Sequence, residues 1–341
     1  MFLRPFRRND SPRDHYYYIK FITQPIVSER KLKDMKVLIC DPVDAQMKRT
    51  LIDHQFNVDY MPEIDEKQLK SIIGNYNIVV VRSRTKLTRD IIHLGKNLEI
   101  IARAGIGTDN IDVKYALEKN IEIVTAAGSS ISSVAELNVA LAIDLARKIT
   151  LLNGKAREGV WKKETGIELW GKTAGIIGFG RIGYATSKIL VAMGMKILAY
   201  DIYHNEQSMN EIGGQFVNLD KLLNESDFLF VLATLSDGAE KLISDEQLNM
   251  AKEGTFIINT SRAEFIDGKS LLDHLKTGAI GGYASDVLWN EPPKEEWEKE
   301  LVNSKNVIIT PHIGAQTVEA QKRVAEYTIE NLFKRIGEMT L

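Results

Sequence analysis

From Lys36 onward, short apolar runs alternate with stretches in which apolar positions recur every three or four residues. Residues 37–40, 77–81, 98–102 and 121–124 are nearly all apolar, as strands covered on both faces should be. Between them, 66–73 and 110–119 carry the helical period. A longer helical pattern spans 133–148, where Ser132 or Ser133 can cap and Glu136 stands in capping-box position to Ser133. A second series follows, with strands predicted at 174–177, 196–200, 228–232, 255–259, 281–285 and 307–310. Strand–helix alternation of this kind predicts parallel sheets. A last long helix is predicted over 315–336, and Pro292-Pro293 with the charged run 294–300 reads as a surface loop or short helix.

The pattern predicts two doubly wound α/β domains with a cleft between them. One is built from 35–133 plus 315–341, the last helix crossing back to it, and the other from 134–314. A chain of 341 residues is long enough for two such cores. Residues 1–34, with Arg4, Arg7 and Arg8 near the start, read as an N-terminal arm or a mis-assigned start, because Met35 opens the first strand run.

Composition narrows the function. A formal net charge of −2 supplies no global basic field for nucleic acid or an anionic membrane. No apolar run approaches the roughly 20 residues of a membrane span. The single cysteine, Cys40, excludes an intramolecular disulfide and a cysteine metal cluster, suits a reducing cytoplasm, and reads as a buried strand residue.

The sequence Gly178-Phe179-Gly180-Arg181-Ile182-Gly183 follows one predicted strand and opens a helix. In that setting Gly178 permits the tight turn, Gly180 lets the backbone approach a pyrophosphate, and Gly183 brings the helix close to the strand. Free amides at the helix start, with Arg181 and Ile182, favour that anion. Asp201 ends the next strand about 20 residues on, where an acid binds ribose hydroxyls. Its charge repels a 2′-phosphate, and Ile202 and Tyr203 bring no cation, so NAD is expected over NADP. Arg262, Asp286 with Glu291, and His312 follow three further predicted strands, at the carboxyl ends where such sheets bind ligands.

These and other segments carry a specific resemblance. VRSRTKLT (81–88), ARAGIGTDNID (102–112), SSVAEL (132–137), GFGRIG (178–183), NTSRA (259–263), DVLWNEPP (286–293) and TPHIGAQT (310–317) make residues 36–341 similar to the D-isomer-specific 2-hydroxyacid dehydrogenases, and within them to short archaeal-type D-3-phosphoglycerate dehydrogenases. The resemblance implies an NAD-dependent oxidoreductase with Arg262, Glu291 and His312 as its catalytic trio. His312 would move the hydroxyl proton, Glu291 orient the ring and favour its protonated form, and Arg262 clamp the substrate carboxylate. It further implies that Asp286 fixes the nicotinamide carboxamide and that Thr234 lies on the cofactor wall. Arg103, Gly105 and Ile106 would bind the carboxylate in a loop of amides, Arg82, Ser83 and Arg103 a phosphate-bearing end, and Arg147 a partner subunit's site.

The expected reaction is oxidation of 3-phosphoglycerate to 3-phosphohydroxypyruvate, a step of serine biosynthesis. Reduction of glyoxylate or hydroxypyruvate, or another D-2-hydroxy acid, is the alternative; an NAD-sensing binding protein is the more distant one. The expected partners are a small anionic 2-hydroxy acid and a second copy of the chain, with a tetramer as the alternative. No metal is expected. The sequence departs from the family at Ala127 and Ser130, where Pro and Asn are usual, and at Leu232-Ala233-Thr234, where His-x-Pro is frequent.

Overall fold

The computed structural model describes residues 34–234 and 241–337; the expected N-terminal arm, with His15, falls outside them apart from Asp34. The chain divides into two compact units, with breaks after Ser130 and after Ala315.

One unit, formed by residues 34–130 and 316–337, is built on five parallel strands: β1 (Lys36–Ile39), β2 (Asn57–Tyr60), β3 (Ile78–Val81), β4 (Ile100–Arg103) and β5 (Glu122–Thr125). Their order, β2-β1-β3-β4-β5, is that of a flavodoxin-like sheet. The apolar runs bury both faces: Val37, Ile39, Ile78, Val80 and Ile100 enter one core, and Leu38, Val79, Val81 and Ile101 the other. The first core is closed by Val324, Ile329, Leu332, Phe333 and Ile336 of the C-terminal helix Val318–Ile336. That helix starts three residues later than its periodicity predicts, because Thr317 accepts the Ala320 amide and caps it.

The other unit, Ile131–Ala315, carries seven parallel strands: β6 (Thr173–Ile177), β7 (Lys196–Tyr200), β8 (Gln215–Phe216), β9 (Phe228–Val231), β10 (Thr255–Asn259), β11 (Ile280–Ser285) and β12 (Val307–Ile309). The order β12-β11-β10-β9-β6-β7-β8 reverses between β6 and β9, the topological switch point of a Rossmann sheet.

The strands not foreseen, β2 and β8, are sheet edges. β2 reads Asn-Val-Asp-Tyr with exposed polar faces, and β8 has two residues, so neither writes an apolar run. The predicted capping box at Ser133 and Glu136 does not form. The helix begins at Ile131, and Ser133 is buried inside it. The charged run after Pro293 folds as the helix Glu296–Val302.

Asp41, one residue past β1's neighbour Cys40, ties the first unit's strand ends together. Its side chain is 1% exposed and accepts the Arg82 amide at 2.5 Å, the Thr85 amide at 3.3 Å and the Thr85 hydroxyl at 2.7 Å, with the Arg84 Nε at 3.1 Å. Arg84 also donates to the Cys40, Pro62 and Ile64 carbonyls. Beside this hub, burial pushes the Cys40 thiol up to about 12, which keeps it an inert packing group. Asp41→Ala would strand these donors, so equilibrium urea unfolding should show a loss on the order of 3 kcal/mol. A loss no larger than that of an exposed substitution would rule out this hub.

Candidate active site

The strand-end groups of the Ile131–Ala315 unit converge because β10, β11 and β12 are sheet neighbours in register: Asn259 pairs with Ser285, and Ser285 with Ile309. Arg262 leaves the end of β10, Asp286 and Glu291 that of β11, and His312 that of β12. Each departing loop is tied by hydrogen bonds. Buried Asn259 accepts the Ser261 amide at 3.0 Å and donates to the Arg262 carbonyl at 2.9 Å. Thr260 donates its hydroxyl to Asn138 at 2.7 Å, and Asn138 in turn donates to Thr186 at 3.1 Å. Arg262 Nη1 donates to the Ser261 carbonyl at 2.7 Å.

The His312 loop hangs on Asp286. One carboxylate oxygen accepts the Thr310 hydroxyl at 2.5 Å and the Ile313 amide at 2.8 Å; the other accepts the Gly314 amide at 2.7 Å. Asp286 is thus an organiser of the histidine turn, a function its position in the sequence does not announce. His312 itself adopts a left-handed backbone, φ 53°. Such conformations concentrate where function demands a particular aim for a side chain.

His312 Nδ1 lies 3.1 Å from Glu291 Oε2, while Glu291 Oε1 accepts the Leu288 amide at 3.2 Å. The hydrogen bond to Glu291 lifts the imidazole pKa above its ordinary value, against partial desolvation. The charges of Glu291 and Asp286 add to the rise, and that of Arg262 opposes it. Burial works to raise the Glu291 pKa, but the His312 bond and charge, the Leu288 amide and the Arg262 charge outweigh it and hold the carboxyl below the usual range. The three groups therefore feel one another electrostatically.

At the switch point, the glycine turn fits a dinucleotide. Gly178 has φ 93°, and a methyl there would meet the Ala233 amide nitrogen at 2.4 Å. Gly183 lies so close to the strand that a methyl would meet the Gly178 carbonyl at 2.3 Å. Gly180 is the N-cap of the helix Arg181–Ala192, with Arg181 exposed and Ile182 half-buried in its first turn. Asp201 follows β7 and accepts the Phe179 amide at 2.7 Å and the Tyr203 amide at 3.0 Å, so it braces the turn from beside it. Thr234 is exposed beyond β9.

The remaining candidates lie elsewhere. Arg82 and Ser83 follow β3, and Arg103 ends its neighbour β4. Arg82 Nη1 donates to the Pro42 carbonyl at 3.2 Å and Arg103 Nη1 to the Ala104 carbonyl at 3.1 Å. Gly105 and Ile106 form the turn after β4. Arg147 is exposed at the end of the helix Ile131–Arg147. Gly314 packs against Val134 and Leu137 near that helix's start, so within one chain Arg147 stands roughly 20 Å of helix away from the trio's end.

The other described histidines are occupied structurally. His54 packs on Phe333, His93 pairs with Tyr115, His204 stacks on Phe216 and His274 meets Asp245. Among the described residues no group of three or more His, Cys, Asp or Glu could hold a metal ion, and no helix is long and apolar enough to cross a membrane.

The chain is similar to known proteins. Residues 139–314 match the D-isomer specific 2-hydroxyacid dehydrogenase NAD-binding domain. The chain is 40% identical over 304 residues to a hydroxypyruvate reductase of Thermotoga maritima, covering 89% of this chain and 98% of that protein. It is 36% identical to a D-3-phosphoglycerate dehydrogenase of Archaeoglobus fulgidus, covering 87% of this chain and 56% of that longer protein. A D-lactate dehydrogenase of Aquifex aeolicus, solved with NAD and lactic acid, superposes with a TM-score of 0.78 at 25% identity over 89% of this chain and 95% of that one. The match to that NAD-binding domain, together with 40% identity along nearly the whole of the Thermotoga maritima protein, places the chain among the NAD-dependent D-isomer specific 2-hydroxyacid dehydrogenases.

Proposed function

We propose that the chain interconverts 3-phosphoglycerate and 3-phosphohydroxypyruvate, with Arg262, Glu291 and His312 as the catalytic residues. The observation that carries the substrate reading is the pair of guanidinium groups, Arg82 and Arg103, at the ends of adjacent strands β3 and β4. Two such groups suit a dianionic phosphate. A second reading, reduction of hydroxypyruvate without its phosphate, is favoured by the near full-length likeness to the Thermotoga maritima reductase.

NAD, held at the glycine turn, would supply the acceptor or donor for the hydride of the substrate's α carbon. The protein supplies position, charge and a proton path. In the oxidative direction neutral His312 takes the hydroxyl proton at its Nε2, while Nδ1 faces Glu291. In the reductive direction the imidazolium returns it. Arg262 holds the substrate carboxylate and polarises the neighbouring carbonyl. The amides around Gly105 and Ile106 and the Ser83 hydroxyl are assigned to substrate binding. Gly178, Gly180, Arg181, Ile182, Gly183, Asp201, Thr234 and Asp286 are assigned to NAD. Arg147, remote from its own trio, is assigned to a partner's site. The exposed Ile149, Val160, Trp161 and Trp170 support a homodimer, and the inert thiol of Cys40 suits the cytoplasm.

Four outcomes are expected. Arg82→Ala should raise KM for 3-phosphohydroxypyruvate on the order of tenfold to a hundredfold while leaving that for hydroxypyruvate unchanged, as loss of a charge-assisted phosphate contact dictates. Equal effects on both, or a wild type that prefers hydroxypyruvate, would hand the case to the second reading. His312→Asn should cut kcat by about 10²–10⁴. In Glu291→Gln the imidazole loses the partner that raises its pKa, so reduction should fail at a lower pH than in wild type and oxidation should begin at a lower pH; rate profiles with unmoved limbs would refute this pairing. Native mass spectrometry should give twice the 38.4 kDa chain.

A further inference from the structure

Glu298 sits on the helix Glu296–Val302, in a run of charges that reads as a solvated surface, yet it is 0% exposed. One oxygen accepts the Asn290 amide at 2.9 Å; the other accepts the Lys294 and Glu295 amides, each at 2.9 Å. The side-chain amide of Asn290 donates to both, at 3.1 Å each. Burial acts to raise the Glu298 pKa, but these donors outweigh it and keep the carboxyl below the usual range. A helix cap accounts for the Glu295 amide alone. The bonds to Asn290 reach across the loop to the residue immediately before Glu291, and the bond to Lys294 grips the chain three residues after it.

We infer that Glu298 is a positioning residue, a buried carboxylate that clamps both flanks of the Glu291 loop and thereby holds Glu291 against His312. The inference rests on the catalytic pairing proposed above. Its physical warrant is the exposure of that pair: the Glu291 side chain is 43% exposed and that of His312 54%. An ion pair so open to water is worth little when both partners swing freely. Here the carboxylate's backbone is pinned on either side, so the pair keeps its geometry without being buried. Trp289 packs edge-on against Trp297 at 5.0 Å and braces the same loop from its apolar side.

Glu298→Gln is the sharp test. A glutamine offers one acceptor oxygen and, in place of the other, an NH₂ that must face amide donors. The loop then loosens while volume is conserved. The readout is the titration of His312, followed by NMR on histidine-labelled full-length protein and assigned by its absence in His312→Asn, together with steady-state kinetics. The expected result is a fall in the His312 midpoint toward that of Glu291→Gln, a drop in kcat on the order of tenfold to a hundredfold for a misplaced orienting group, and an unchanged KM for NAD. A lower melting temperature with an unmoved midpoint and unmoved kcat would reduce Glu298 to a scaffold brace and overturn the inference. Should Glu298→Gln fail to fold, Asn290→Ala removes the side-chain amide and leaves the main-chain clamp; it should shift the midpoint in the same direction by less, and no shift would overturn the inference equally. Turnover that survives in His312→Asn would instead overturn the catalytic reading, and the titration would still decide whether Glu298 governs the pair.

Discussion

A parallel sheet delivers its useful side chains on loops beyond the strand ends, where the ladder of main-chain bonds stops and amides need new acceptors. In this protein carboxylates take that place. Asp41 receives amides of the segment after β3, Asp201 those of the glycine turn, Asp286 those of the histidine turn and Glu298 those around Glu291. Each spans loops or loop ends that have no strand bonds of their own. An ionised carboxylate is suited to this because it accepts in several directions at once, and amide dipoles compensate part of its desolvation. The same carboxylate without those amides would be an uncompensated buried charge. Loop geometry and carboxylate ionisation therefore stand or fall together.

This explains which features the sequence made legible. The central strands of both sheets write dense apolar runs because both faces are covered, and their periodicity separates them from the helices. The glycine turn is legible because Gly178 and Gly183 answer steric demands that a side chain could not meet. β2 and β8 were not, since an edge strand with polar faces looks like a loop. The helix after Ser130 begins before its predicted cap because packing of Val134, Ala135 and Val139 fixes its start, not Ser133.

The trio of Arg262, Glu291 and His312 stood out through motif and strand-end position, whereas the residues hydrogen-bonded to its loops did not. Asn138 interrupts the apolar face of a helix and Glu298 is one acid among several, signals too weak to single out. Asp286 stood out for another reason, and its grip on three donors of the histidine turn exists only in the folded chain. Buried hydrogen-bond partners are set by chain segments far apart in sequence, 122 residues for Thr260 and Asn138. No local pattern encodes that.

The electrostatics of the trio are balanced rather than maximised. Glu291 alone would favour the protonated form of His312, the form that the proposed reduction uses and the proposed oxidation lacks. Arg262, by its positive charge, opposes that protonation while it also stabilises the Glu291 carboxylate. A substrate carboxylate placed on Arg262 would screen the guanidinium and weaken its opposition, so substrate arrival itself favours the imidazolium. For a 2-keto acid, this charges the proton donor as the acceptor is seated. For a 2-hydroxy acid it favours proton uptake by the ring once the hydroxyl is in reach. A rigid Glu291 loop is a condition for that balance, because a carboxylate free to swing into solvent would leave only the Asp286 charge against Arg262 and shift the ring toward its neutral form.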